Sequence, residues 1–204
     1  MAVRRREPRV GTPADWLVLG LGNPGDDYAD TRHNAGVWVV EELARRHGTR
    51  LRRARREHAR TDEIRLDGRR VALAVPTTYM NESGRAAVAL VRRFGIDDLS
   101  HLVVVHDELD LPVGRVKVKV GGGLAGHNGL RSIRAALRSD AFSRIRIGVG
   151  KPEHTPRGGD YVLKRPGRAE RERLDAAVER AADAVEAIAR DGLEAAMGRY
   201  NAAS

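Results

Sequence analysis

The stretch that most restricts the fold is Leu102–Val105, a short unbroken apolar run that ends at His106-Asp107-Glu108. An apolar run of this length with no polar alternation reads as a strand buried on both faces, as in the interior of a parallel sheet. Functional side chains in open α/β sheets collect where such strands end, and here the strand ends in a histidine and two acids. Two further strands alternate instead. In Gly114–Val120, Val116, Val118 and Val120 oppose Arg115, Lys117 and Lys119; in Ser143–Val149, Ile145, Ile147 and Val149 oppose Arg144 and Arg146.

Around these, Trp16–Leu21 reads as a first buried strand, and 62–66 and 71–75 as two more. Helical spacing marks Ala35–His47, capped by Asn34 and stopped at Gly48. It also marks a helix through Val88, Val91 and Phe94, one with Leu130, Ile133 and Leu137 inward, and a last helix over Arg168–Arg190. That last helix carries Leu174, Val178, Ala181, Val185 and Ile188 on one face. Strands and helices alternate irregularly, so the expected fold class is α/β: a single domain with a mixed twisted sheet flanked by helices on both sides. Residues 1–14, basic and punctuated by Pro8, Gly11 and Pro13, read as a flexible tail ahead of a domain spanning 15–204.

A length of 204 residues suits one core. There is no cysteine, hence no disulfide framework or thiolate zinc site. No apolar run reaches the roughly 20 residues of a membrane span. A cytoplasmic location is expected. Lys and Arg number 37 against 28 acids, a net charge of +9, which favours a polyanionic partner, nucleic acid ahead of anionic membrane.

Several loops carry candidate chemistry. Gly20-Leu21-Gly22-Asn23-Pro24-Gly25 matches G-x-G-x-x-G, but a turn with two aspartates follows where a dinucleotide site needs a helix N-terminus. His33 precedes a helix, whose N-terminus disfavours the cation and so favours a neutral base. Asp107, at the strand end, is suited to orient a histidine. His106 and Asp107 match no recurring metal-ligand spacing. Gly121–Gly129 is a glycine-dense loop containing His127; its backbone can approach a phosphate or carbonyl, but no Gly-Lys-Ser/Thr follows to make a Walker loop. Asn23, Asn81 and Asn128 each sit in a loop beside an element boundary. Singly they read as turn or cap residues; with His33 and Asp107 they make a polar, largely uncharged site. No G-x-S-x-G elbow is present.

Several collinear motifs carry a resemblance. Leu19–Gly25 with Tyr28, Thr31–Gly36, Pro76–Asn81, His106–Pro112, Gly126–Leu130 and 144–152 occur in this order in bacterial peptidyl-tRNA hydrolases, and the chain resembles that family over about 17–163. The resemblance implies a monomeric hydrolase without metal or cofactor that cleaves the ester between a peptide and the 3′ ribose of tRNA. By the same likeness His33 would be the general base and Asp107 its orienter. Asn23, Asn81 and Asn128 would bind the peptide and the 3′ end, and Asn23 would help distinguish a blocked aminoacyl group from a free one. Tyr28 and Tyr79 would contact tRNA, and His127 would line the site. Arg115, Lys117, Lys119, Arg144, Arg146 and Lys151 are candidates for tRNA phosphates. Leu124 and Ala125 depart from the family's small loop residues and are expected to give a bulkier, less flexible loop that narrows access. The rival function is a noncatalytic RNA-binding protein, disfavoured because binding needs neither His33 nor Asp107. A nucleotide-dependent oxidoreductase rests only on the Gly20–Gly25 loop.

Overall fold

A computed structural model describes residues 12–151 and 158–202. Its centre is a seven-stranded mixed sheet in the order β2-β3-β4-β1-β5-β7-β6. The strands are β1 (Trp16–Gly20), β2 (Arg52–Ala54), β3 (Ala59–Leu66), β4 (Arg69–Pro76), β5 (Leu102–Glu108), β6 (Val116–Val120) and β7 (Ser143–Gly148). β4, β1, β5 and β7 run parallel to one another, while β3 and β6 are antiparallel to their neighbours.

The helices are α1 (Asp26–Ala29), α2 (Ala35–Arg46), α3 (Ser83–Arg93), α4 (Asn128–Leu137), α5 (Gly158–Val162), α6 (Arg168–Asp191) and α7 (Leu193–Ala202). Two hydrophobic cores follow from the period-two alternation of the strands. On one face Val18, Val103, Val105, Ile145 and Ile147 pack against α2 and α6. On the other, Leu17, Leu19, Leu102 and Val104 pack against α3 and α4 through Ala86, Leu90, Leu130 and Ile133. The expected α/β sandwich with helices on both sides is what forms, and β5 is buried along its whole length.

Four local expectations change. Ala14, assigned to the tail, is buried, and its N–H donates to the carbonyl of Phe94; residues 1–11 of that tail lie outside the described residues. Asn34 stands at the N-cap of α2 without capping it. Val88 is exposed, the buried face of α3 being formed by Ala86, Ala87 and Leu90. Val120 is exposed at the end of the edge strand. Four elements have no counterpart in the sequence reading: the short β2, the one-turn helices α1 and α5, and α7. The side chain of Asn201 in α7 donates to the carbonyl and accepts from the N–H of Val118, at 2.8 and 2.9 Å, and so occupies part of the open edge of β6.

One close approach positions the site. A Cβ on Gly36 would lie 2.2 Å from the carbonyl oxygen of Val105, and one on Gly20 would lie 2.2 Å from the carbonyl oxygen of Gly36. The first turn of α2 therefore rests directly on the ends of β1 and β5, which brings the residues just before it over the end of β5. Gly36→Ala is expected to cost about 2–3 kcal/mol, toward the upper part of the range for overpacking. Urea unfolding checks this; a midpoint equal to that of the native chain would contradict the contact.

Candidate active site

The carboxyl ends of β1, β4 and β5 open into a cleft of about 450 Å³. Its floor is Asp107. This side chain is 3 % exposed, and both its oxygens are within hydrogen-bond distance of His33 Nδ1, at 2.9 and 3.0 Å. His33 sits in the 3₁₀ turn Arg32–Asn34, immediately ahead of α2. Arg32 anchors that turn: its guanidinium makes a bidentate pair with Glu170 at 2.6 and 2.5 Å and stacks on Tyr161.

The second partner of Asp107 is His127, whose Nε2 lies 2.9 Å from Oδ1. The Nδ1 of His127 accepts from the N–H groups of Gly129 and Leu130, at 3.2 and 3.4 Å, and so caps α4. A neutral imidazole has one donor and one acceptor nitrogen. His127 must then carry its proton on Nε2 and donate it to Asp107. His33 faces the same carboxylate through Nδ1, donates there, and keeps an unprotonated Nε2. One buried carboxylate thus sets two histidines in opposite tautomers, assigned from the hydrogen-bond network.

The electrostatics follow. Burial penalises the Asp107 carboxylate, but the positive ends of His33 and His127 and their hydrogen bonds hold it far below the ordinary 3.8. For His33, burial is the largest single influence and lowers its pKa; the charge of Asp107 and its hydrogen bond together outweigh it, so the net shift is upward from 6.5. The sequence reading weighed only the helix N-terminus; the carboxylate of Asp107 acts in the opposite sense and sets the net direction of the shift. His106 is fully buried, donates from Nδ1 to the carbonyl of Asp107 at 2.7 Å and is held neutral by burial, with its pKa well below 6.5. Its ring meets that of His127 edge-on at 5.0 Å. Sequence reasoning gave His106 no supporting role, because a local side-chain-to-backbone bond leaves no trace in spacing.

His33, Asp107 and His127 also offer three ligand atoms within 4.8 Å of one another. The donor set does not fit a metal. Helix capping commits the Nδ1 of His127 as acceptor, so its Nε2 bears a proton where a ligand needs a lone pair.

Asn23, Tyr79, Asn81, His127 and Asn128 line the same cleft. The Oδ1 of Asn23 accepts the N–H of Met80 at 2.7 Å, which turns its amide N–H₂ to the cleft. Asn34 explains its missing cap here: it spends its amide on the backbone of Asn23, accepting at 2.8 Å and donating at 2.9 Å. Tyr79, 55 % exposed, stands on the rim and meets Tyr28 edge-on at 6.3 Å.

The six basic candidates do not form one surface. Lys117 pairs in register with Arg146 and Lys119 with Arg144, on the α3/α4 side of the sheet. Arg146 is held by Glu108 at 3.0 Å. Arg144 is a correction: at 2 % exposure it is inside the protein, where its guanidinium donates to the carbonyls of Gly121 and Gly123 and ties down the glycine loop. Arg115 reaches the carbonyl of Asn201 at 3.3 Å, and Lys151 lies 3.9 Å from Asp110. Leu124 also departs from expectation. It is buried in the core under α4, so it anchors the loop instead of narrowing the cleft; Ala125, at φ 49°, faces the cleft. Two further basic side chains that the sequence reading did not name, Arg131 and Arg134, are exposed on α4. The available signal was that neither α3 nor α4 contains an acidic residue, whereas α6 contains seven.

Fold and site together define an α/β enzyme of the hydrolase class. The chain belongs to the peptidyl-tRNA hydrolase family, whose family model matches residues 17–204. It is similar to the peptidyl-tRNA hydrolase of Rubrobacter xylanophilus, 53 % identical over 187 residues covering 90 % of this chain and 99 % of that one. It is also similar to that of Haemophilus influenzae, 47 % identical over 91 % and 95 % of the two chains. Among solved structures, the peptidyl-tRNA hydrolase of Acinetobacter baumannii superposes with a TM-score of 0.86 at 37 % identity, covering 94 % of this chain and 98 % of that one.

Asp107→Asn removes the charge that raises the His33 pKa and leaves the burial that lowers it. An NMR titration of the His33 ring is expected to give a midpoint above 6.5 in the native chain and one below 6.5 in the variant. A midpoint that does not fall would contradict the carboxylate as the cause of the upward shift.

Proposed function

We propose that this chain hydrolyses the ester linking a peptide, or an N-blocked aminoacyl group, to the 3′-terminal ribose of tRNA, releasing the tRNA for reuse. The observation that carries the reading is the contact of His33 Nδ1 with the buried carboxylate of Asp107, which leaves the other face of the ring to a cleft lined with amides.

In this reading His33 Nε2 takes a proton from water as the oxygen adds to the ester carbonyl. The imidazolium that forms is stabilised by Asp107, and the developing oxyanion by amide donors. Collapse of the tetrahedral intermediate breaks the bond to the ribose oxygen, which takes the proton back from His33. Asp107 stays ionised throughout, as its depressed pKa requires. No covalent enzyme intermediate is needed, in keeping with the absence of a serine elbow.

The remaining roles follow the same chemistry. Asn23, whose oxygen is already used by Met80, offers only N–H donors and so takes a carbonyl oxygen of the peptide; Asn81 and Asn128 bind the peptide and the 3′ end. Tyr28 and Tyr79 give terminal bases or ribose an aromatic surface. His127 holds Asp107. Lys117, Lys119 and Arg146 meet phosphates near the cleft, with Arg115 and Lys151 peripheral to them. No helix among the described residues is long and apolar enough to cross a membrane, and we read the enzyme as a cytoplasmic monomer.

With N-blocked aminoacyl-tRNA as substrate, His33→Ala is expected to lower kcat by about 10²–10⁴-fold with tRNA affinity retained; equal loss of both would remove the base assignment. Since the base must be neutral, kcat/KM of the native enzyme rises with pH to a plateau, with a midpoint above 6.5. Lys117→Ala should flatten the salt dependence of tRNA binding by about one unit of slope, and an unchanged slope would take Lys117 off the phosphate path.

A further inference from the structure

We propose that the β2 edge of the sheet, presenting Arg52, Arg53, Arg55 and Arg56, is a second phosphate-contacting surface that takes the body of the tRNA beyond the 3′ end held in the cleft. The inference rests on the function proposed above and names a part of the substrate that the cleft does not reach.

All four side chains are exposed, and none makes an ion pair among the described residues. Nearby acids are engaged elsewhere: Glu57 with Arg93 at 3.2 Å, Glu41 with Arg60 at 2.7 Å, Glu63 with Arg70 at 2.5 Å. Asp62 accepts from the Thr49 hydroxyl at 2.5 Å, and Arg52 lies in its field without forming an ion pair. Four guanidinium groups within five positions repel one another, and a polyanion relieves that repulsion. Arginine's planar fork also suits phosphate oxygens better than a lysine point charge does.

The patch lies at the same end of the sheet as the cleft. Ala54 pairs with Ala59, and Ala59 with Pro76, at the carboxyl end of β4. The turn after Arg56 is joined to the cleft wall directly, because the N–H of Thr77 donates to the carbonyl of His58 at 2.8 Å. Two residues on stands the exposed Tyr79. Three strand spacings separate β2 from β1, about 14 Å, so the patch stands clear of the cleft itself.

Two alternative roles for these arginines fit less well. Charges on an edge strand guard against pairing with another sheet, but Arg55 and Arg56 lie past the end of β2, in a 3₁₀ turn. An anionic membrane favours apolar side chains interleaved with the basic ones, whereas Ala54 is buried and Leu51 packs into the core.

The test is salt-dependent binding of full-length deacylated tRNA and of an acceptor-stem minihelix, by the native chain and by R52Q/R53Q/R55Q/R56Q. The variant is expected to flatten the slope of log K against log salt by about 2–3 for full-length tRNA. Its slope for the minihelix, and its hydrolysis of a blocked aminoacyl-minihelix, should equal those of the native chain. The all-lysine counterpart should keep the native slope on full-length tRNA, which separates charge from fold. An unchanged slope on full-length tRNA would overturn the proposal, including where the variant self-associates through a bared edge. An equal flattening for the minihelix would also overturn it, by moving the contact to the acceptor stem. Absence of minihelix hydrolysis by the native chain would instead strike at the proposed function itself.

Discussion

The site depends on one buried carboxylate shared by two imidazoles. Asp107 accepts from Nδ1 of His33 and Nε2 of His127, and His127 can donate there only because its other nitrogen caps α4. A helix N-terminus, a glycine loop and a central strand are thereby tied to the protonation state of a single ring. The net effect on His33 is a tautomer with its outward nitrogen free and a pKa raised from the ordinary value. A base with a raised pKa is stronger once deprotonated, at the cost of being less populated near neutrality.

The sheet supplies the rigidity this arrangement needs. Two glycines let α2 approach the backbone of β1 and β5 to distances a side chain would forbid, and Arg32 fixes the turn between them through Glu170 and Tyr161. Arg144 and Leu124 do the same for the loop carrying His127, one from the sheet and one from the core. The residues that touch substrate in the proposed reaction thus stand on parts held from below, while the rim residues Tyr79, Asn81 and Asn128 remain exposed.

Much of this was legible in the sequence, for reasons that differ by element. The run Leu102–Val105 and the alternating strands announced a mixed sheet because burial on two faces and on one face leave different patterns. The long helix α6 was legible because Leu174, Val178, Ala181, Val185 and Ile188 all needed the same core. The short β2 was not, since three residues carry too little period, and α7 was missed because what marks it, Asn201 against the edge of β6, is a tertiary contact. Asn34 looked like a cap, and only the fold shows that it is spent on Asn23. Arg144 and Arg146 look identical in an alternating strand. The loop that covers one and leaves the other beside Glu108 is set by the chain's path, which periodicity does not encode. Motif order pointed to His33 and Asp107 as candidates, but the direction of the His33 shift required the distance to Asp107.

Charge is divided between the two helical layers, with α3 and α4 free of acids and α6 rich in them. The cleft and both cationic flanks open on ends and edges continuous with the basic layer, which gives a polyanion one preferred side of approach. Everything catalytic nevertheless turns on the two tautomers. The most direct measurement is the ¹⁵N shift of the imidazole nitrogens above the His33 midpoint. His33 is predicted to be protonated at Nδ1 with a free Nε2, and His127 to be protonated at Nε2. A proton on Nε2 of His33 in the neutral form would contradict the shared-carboxylate arrangement.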